Sequence, residues 1–154
     1  MSSLLKPNLK EAVILLTCIG IDQLSKGTIR HFGLTYTGSF LSIGVYPNTN
    51  GAFSLPISPT LAILFSFLAI TLLVLAYIFV KSQLTIWGII FITAGGISNL
   101  IDRFYFGAVI DVAHIANASF NGGDILIISG GIIILITLFI RHAPIAAKHD
   151  KLSV

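Results

Sequence analysis

Four carboxylates, Asp22, Asp102, Asp111 and Asp124, stand in apolar surroundings in a chain with only six acidic residues. Asp111 lies within FGAVIDVAHI, and Asp124 lies within SFNGGDILIISGG at the head of a long apolar run. An ionised Asp in hydrocarbon costs on the order of 2.5–3.5 kcal/mol even on lenient insertion scales, so such a residue needs a reason to be there. Taken singly, Asp124 reads as a helix cap whose oxygens accept backbone N–H groups. Taken with Asp111, it suggests something more. Two carboxylates brought close in a low-dielectric site share a proton because both cannot ionise easily. One is then a general base toward water and the other a general acid toward a carbonyl, which is the chemistry of an aspartic peptidase.

Other chemistries find less support. There are four His residues, of which His114 alone is near the acidic cluster, and no HExxH is present. A metal site built from the Asp residues and His114 would have no recognisable ligand spacing, so no metal is expected. Ser-His-Asp catalysis lacks a GxSxG context, and no phosphate-binding G-x-x-x-x-G-K-[ST] loop occurs. Cys18 is the single cysteine, which excludes an intrachain disulfide and reads as a buried apolar side chain.

The elements that must position these residues belong to a membrane protein. The chain is 55% hydrophobic and 10% charged, with mean hydropathy +0.97, against roughly 25% charge in soluble domains. Residues 61–80, 84–101 and 125–140 are uncharged runs near the length that crosses a roughly 30 Å core. Residues 12–21 with their polar continuation through Lys26 are read as a retained first helix, not a cleaved leader. The expected spans are therefore about 11–28, 60–80, 84–103 and 124–141. Alternating Thr, Tyr and Val among glycines over about 30–58 predicts a small outer β segment, closed by Pro56 and Pro59 before the second span.

The fold class expected is an all-α membrane protein, a four-transmembrane-helix bundle with a small extracytoplasmic β cradle, forming a single domain over 1–154. With an even number of spans, Lys6, Lys10, Lys81, Arg141, Lys148 and Lys151 share one side, leaving Lys26, Arg30 and Arg103 on the other. That bias places both termini in the cytoplasm and the carboxylates at the outer face. No basic–aromatic interleaving suggests nucleic acid.

Spacing places several polar residues on common faces. Gly95, Asn99 and Asp102 fall at i, i+4 and i+7 of the third span, and Gly95–Gly96 admits a close neighbouring helix. Asp22 and Lys26 are i, i+4 on the first helix and can pair. Arg103, adjacent to Asp102, cannot face it on a helix and is free to reach across.

These residues also compose an ordered set of motifs. They are Asp22-Gln-Leu-Ser-Lys26, Asn48-Thr-Asn50-Gly51-Ala52-Phe53-Ser54, Gly95-Gly-Ile-Ser-Asn99-Leu-Ile-Asp102-Arg103, Val109-Ile-Asp111-Val112 and Phe120-Asn121-Gly-Gly-Asp124. Together they resemble the lipoprotein signal peptidases (signal peptidase II), four-helix aspartic peptidases of the bacterial inner membrane, over nearly the whole chain. The resemblance implies that Asp111 and Asp124 are the catalytic pair and that Asn99 and Asn121 line the site. It implies that Asp102 and Arg103 brace the site and cradle, and that Asp22, Lys26 and Asn48 hold the first helix and cradle in place. It further implies cleavage of diacylglyceryl-modified prolipoproteins on the N-terminal side of the lipidated Cys, without a metal or organic cofactor. The expected partners are those prolipoprotein substrates and membrane lipids, with no nucleic acid, and the expected state is a monomer.

The sequence departs from the family pattern at identifiable points. Asn50 replaces a usual Gly at a turn where both tolerate positive φ, and Gly51 replaces Ala. Val112 replaces Phe. Gly123 replaces the Ala before the second Asp, which is expected to loosen that junction. The segment between Asp111 and Asp124 is short and lacks the usual aromatic and proline content. Two rival readings remain: a small proton- or ion-coupled transport protein, which would carry acids nearer mid-span, and a non-catalytic membrane scaffold.

Overall fold

The computed structural model describes residues 8–50 and 57–142, with the side chains of 141 and 142 excluded. The Gly51-Ala52-Phe53-Ser54 part of the second motif, Pro56, and Lys6, Lys148 and Lys151 lie outside the described residues. Four helices are long and apolar enough to cross a membrane: α1 (Leu9–Phe32), α2 (Pro59–Phe79), α3 (Gln83–Phe106) and α4 (Gly122–His142). The chain is a multi-pass membrane protein.

Helix limits follow from local chemistry. Asn8 and Glu11 form a reciprocal capping box at the start of α1, and Gly33 ends it at φ 58. Ser58 caps α2 with Pro59 in its first turn, and Gly107 closes α3 at φ 70. The first helix thus runs past the expected residue 28, because nothing stops it before Gly33.

Between the helices lie four strands: β1 (Tyr36–Thr37), β2 (Leu41–Asn48), β3 (Val109–Ile115) and β4 (Ala118–Phe120). They form one antiparallel sheet in the order β1-β2-β3-β4. The segment 109–120, outside the β segment expected over about 30–58, is a hairpin that contributes two of the four strands. Its two-residue turn places Ala116 at φ 52, where glycine is the usual residue. A register shift between Ile43 and Tyr46 brings Tyr46 opposite Asp111 and Asn48 opposite Val109. Asn50 is not in the left-handed region, which among the described residues is occupied by Gly33, Gly107 and Ala116. Its turn is instead closed by the Asn48 side chain, whose Oδ1 accepts from the Asn50 backbone N–H at 3.0 Å.

α3 is the central helix, with 50% of its membrane window buried against 6% for α2. α3 and α4 run antiparallel and touch through glycines seven residues apart on each. A methyl added at Gly88 would lie 2.8 Å from the Gly130 carbonyl oxygen, and one at Gly130 would lie 2.5 Å from that of Gly88. One turn pair further out, a methyl at Gly95 would collide with the Gly123 carbonyl oxygen. This is small-residue packing at coiled-coil spacing, which lets the two backbones meet. At the far end of the bundle Glu11 accepts from the Tyr77 hydroxyl at 2.5 Å and from Gln83 Nε2 at 3.3 Å, tying α1 to α2 and α3.

Glycine substitution tests this packing. Gly95→Ala and Gly130→Ala should each destabilise the protein by about 1–3 kcal/mol through overpacking, read as a lower thermal midpoint in detergent. Gly131→Ala, where an added methyl meets nothing within 4 Å, should leave it unchanged or raise it.

Candidate active site

At the sheet end of the bundle, the ammonium of Lys26 is 3% exposed and surrounded by acceptors. It lies 2.6 Å from Asp22 Oδ2, 2.8 Å from Asp102 Oδ2 and donates to Asn99 Oδ1 at 3.1 Å. An ammonium has three protons, and these three oxygens use all of them. Asp22 and Asp102 are buried at 2% and 0% exposure, so the ion pairs are dry.

Each of those acceptors reaches another element. Asp22 Oδ1 accepts from the Gly123 backbone N–H at 2.9 Å, placing a carboxylate on the N-terminus of α4, and its Oδ2 also accepts from Ser98 Oγ at 2.6 Å. Asp102 Oδ2 accepts from the Ile110 N–H at 3.1 Å, fixing β3 one residue before Asp111, and its Oδ1 accepts from Gln23 Nε2 at 2.9 Å. Because Lys26 takes Asn99 Oδ1, the amide is turned so that Nδ2 donates to Asp124 Oδ1 at 3.0 Å.

Asn121 is the second junction. It precedes α4, and its Oδ1 accepts from the Asp124 N–H at 3.1 Å while its own N–H donates to Asp124 Oδ2 at 3.2 Å. This is a reciprocal capping box with Asp124 as its third-position acid. With Oδ1 committed to the backbone, Nδ2 points away and donates to Asp111 Oδ1 at 2.7 Å. A single buried asparagine, 1% exposed, therefore holds both Asp111 and Asp124. Asn48 Nδ2 approaches Asp111 Oδ2 at 3.4 Å from β2.

Burial pushes the Asp111 carboxyl above its ordinary value, and the Asp124 carboxylate nearby adds to that push while the Asn121 amide opposes it. Around it opens a cleft of about 200 Å³ lined by Tyr46, Asn48, Asn50, Asp111 and Ser119 with Pro47 and Thr49. Arg103 stands at the margin, with Nη2 3.4 Å from the Asn50 carbonyl oxygen. His114 is not part of the carboxylate network; its Nδ1 pairs with Ser119 Oγ at 3.0 Å. Among the described residues no three His, Cys, Asp or Glu side chains converge as a metal site requires.

The structure thus joins Asp22, Lys26, Asn48, Asn99, Asp102, Asp111, Asn121 and Asp124 in one hydrogen-bonded cluster, with Gly95 beneath it and Arg103 at its edge. Sequence reasoning passed over Gln23 and Ser98. Gln23 Nε2 also meets Ser98 O and Oγ at 3.0 and 2.9 Å. The signal was present in the spacing, since Ser98 is i+3 from Gly95 and i−4 from Asp102 on the same face. Gly123 does not loosen the junction as expected. A methyl there would sit 2.9 Å from both Asn121 Oδ1 and Asn99 Oδ1, and one at Gly122 would sit 2.7 Å from Asp22 Oδ1. The two glycines let polar side chains reach the start of α4.

Four spans carrying an antiparallel sheet, with buried carboxylates where helices and sheet meet, define a membrane enzyme of the aspartic peptidase type. The fold is that of two solved bacterial membrane enzymes determined by the in meso method. One superposes with TM-score 0.72 at 22% identity over 94% of each chain, the other with 0.71 at 24% identity over 84% of this chain and 92% of that one. Residues 14–140 match the family model described as signal peptidase (SPase) II. The lipoprotein signal peptidase of Streptococcus pneumoniae is 32% identical over 82% of this chain and 90% of its own. That of Enterococcus faecalis is 32% identical over 86% of this chain and 88% of its own. The chain belongs to the signal peptidase II family.

Removing the central charge tests how far the cluster depends on it. Lys26→Met leaves Asp22 and Asp102 buried without a counter-ion and should cost about 3–5 kcal/mol of stability. Adding Asp102→Asn to that variant should recover part of the loss in thermal unfolding, because one stranded charge is removed.

Proposed function

We propose that Asp111 and Asp124 are the catalytic pair of this enzyme, supported by Asn99, Asn121 and Asn48 and braced by Asp22, Lys26, Asp102 and Arg103. As a member of the signal peptidase II family the chain is a lipoprotein signal peptidase. The observation that carries the assignment is Asn121, which binds the side chain of Asp111 and caps Asp124 at once. Asp111 lines the cleft, and among the described residues neither carboxylate faces an ammonium at hydrogen-bond distance.

The chemistry follows from how each oxygen is held. Both oxygens of Asp124 accept N–H donors at 3.0 and 3.2 Å, which fixes the orientation of the carboxylate for the role of base toward water. Asp111 is held at Oδ1, while Oδ2 has only the 3.4 Å approach of Asn48. Oδ2 therefore carries the shared proton and donates it toward the scissile carbonyl. Water attacks as Asp124 takes its proton, and the tetrahedral intermediate collapses with protonation of the leaving amine. The substrate is a diacylglyceryl-modified prolipoprotein cut on the N-terminal side of its lipidated Cys, with the acyl chains held in the bilayer beside the helices. The enzyme works as a monomer and a single domain in the bacterial inner membrane. Both termini are cytoplasmic, and the site lies at the outer face beside Lys26, Arg30 and Arg103.

Asp111→Asn and Asp124→Asn should each lower kcat on a lipidated precursor by on the order of 10²–10⁴ without lowering the thermal midpoint. Product is read by mass analysis of the new N-terminal lipid-modified Cys. Wild-type turnover in either variant would refute the assignment.

The pH profile gives a second test. Activity requires one proton on the pair, so kcat/KM rises as the second proton leaves and falls when the shared proton is lost. Because burial holds Asp111 above the ordinary carboxylate value, the falling limb lies above the usual carboxylate range. The Asn48 amide favours the ionised form of Asp111, so Asn48→Ala should move that limb to higher pH. A limb that moves down would contradict the role given to Asp111.

A further inference from the structure

The cleft beside Asp111 has a composition that the chemistry at the dyad does not explain. Its lining comes from β2 and the two residues after it (Tyr46, Pro47, Asn48, Thr49, Asn50), from Asp111 on β3 and from Ser119 on β4. Among the described residues no helix residue takes part, and Pro47 is the one aliphatic side chain. Acyl chains and the apolar part of a signal peptide need an apolar wall, and this cleft offers amides and hydroxyls. At about 200 Å³ it is also smaller than the roughly 300–1,000 Å³ of a whole ligand pocket, so it is the size of a subsite.

Ser119 is the built feature of that subsite. It lies directly opposite His114 in the β3–β4 register, and its Oγ pairs with His114 Nδ1 at 3.0 Å. The His114 ring in turn lies against Tyr46, with centroids 5.4 Å apart and the planes inclined by 32°. A hydroxyl has one donor and two acceptor positions, so after bonding His114 it keeps capacity for a further partner in the cleft. β4 is the edge strand of the sheet and leads directly into Asn121, so a peptide beside it runs toward the dyad.

We propose that this cleft receives the polypeptide that follows the lipid-modified Cys, and that Ser119, held by His114, is a substrate-binding contact for its main chain. The proposal rests on the assignment of Asp111 and Asp124. Of the three parts of the substrate, the signal peptide and the acyl chains lie in the bilayer. The residues after the Cys are the part outside it, where a polar, sheet-borne cleft is found. Recognition through main-chain groups at a strand edge tolerates varied side chains.

The test uses two synthetic substrates sharing one signal peptide and one diacylglyceryl Cys. One continues for four residues after the Cys and the other ends there as an amide. Ser119→Ala should raise KM for the long substrate about three- to tenfold, the worth of one hydrogen bond, with kcat within twofold. Wild type and variant should converge on the short substrate, and Ser119→Thr, which keeps the hydroxyl, should restore KM on the long one. A KM change of equal size on both substrates, or on neither, would overturn the proposal. Asp111→Asn separates the two levels: its inactivity on both substrates upholds the dyad whatever Ser119 does, and its turnover of either would overturn the dyad itself.

Discussion

One buried ammonium organises the sheet end of this molecule. Lys26 gives one proton to α1 through Asp22 and two to α3 through Asp102 and Asn99, and none remains for water. Each acceptor then fixes something else. Asp22 holds the first turn of α4, Asp102 holds β3, and Asn99 holds the Asp124 carboxylate. An isolated charge in such a place would cost several kcal/mol, and the pairing is favourable only when every donor and acceptor is satisfied. The cluster therefore forms as a whole, which is how helices distant in sequence come to one geometry.

The glycines follow from that requirement. Polar side chains as short as Asp and Asn bridge two helices only if the backbones come nearly into contact. Gly88 and Gly95 on α3 meet Gly130 and Gly123 on α4 at points where any side chain would strike a carbonyl oxygen. Gly122 and Gly123 leave room for Asp22, Asn99 and Asn121 to converge on the start of α4. Helical glycine is conformationally costly in water, but here it permits hydrogen bonds between buried groups on different elements. An alanine before Asp124 would displace Asn99 or Asn121 by a few tenths of an ångström, and both hold the candidate carboxylates.

Much of this was legible in the sequence. The apolar runs gave the spans because hydrocarbon thickness dictates helix length, and helical spacing put Asn99 and Asp102 on one face. The Asp22–Lys26 spacing announced an ion pair, although not that Asp102 and Asn99 would share it, since three-way bridging depends on how α1 and α3 cross. The hairpin of β3 and β4 was hidden because VIDVAHI shows no apolar–polar alternation, its buried start carrying Asp111 beside Val109 and Ile110, and because the turn uses Ala116 in place of glycine. The role of Gly123 was misread for a related reason: a missing methyl looks like slack along a chain, and only the neighbouring helix reveals it as clearance. Gln23 and Ser98 are uncharged and drew no notice beside carboxylates.

The four carboxylates at this end are divided by what faces them. Among the described residues the ion pairs within reach are those of Lys26, and they go to Asp22 and Asp102. Asp111 and Asp124 receive only neutral donors, from Asn121, Asn48, Asn99 and a backbone N–H. A carboxylate beside an ammonium is committed to an ion pair, whereas Asp111, beside amides, has its carboxyl pushed above the ordinary carboxylate value by burial. The same residue type thus serves two ends a few ångströms apart. The acids paired with Lys26 fix the architecture, and the amide-bound pair is held by neutral donors at the start of α4 and on β3.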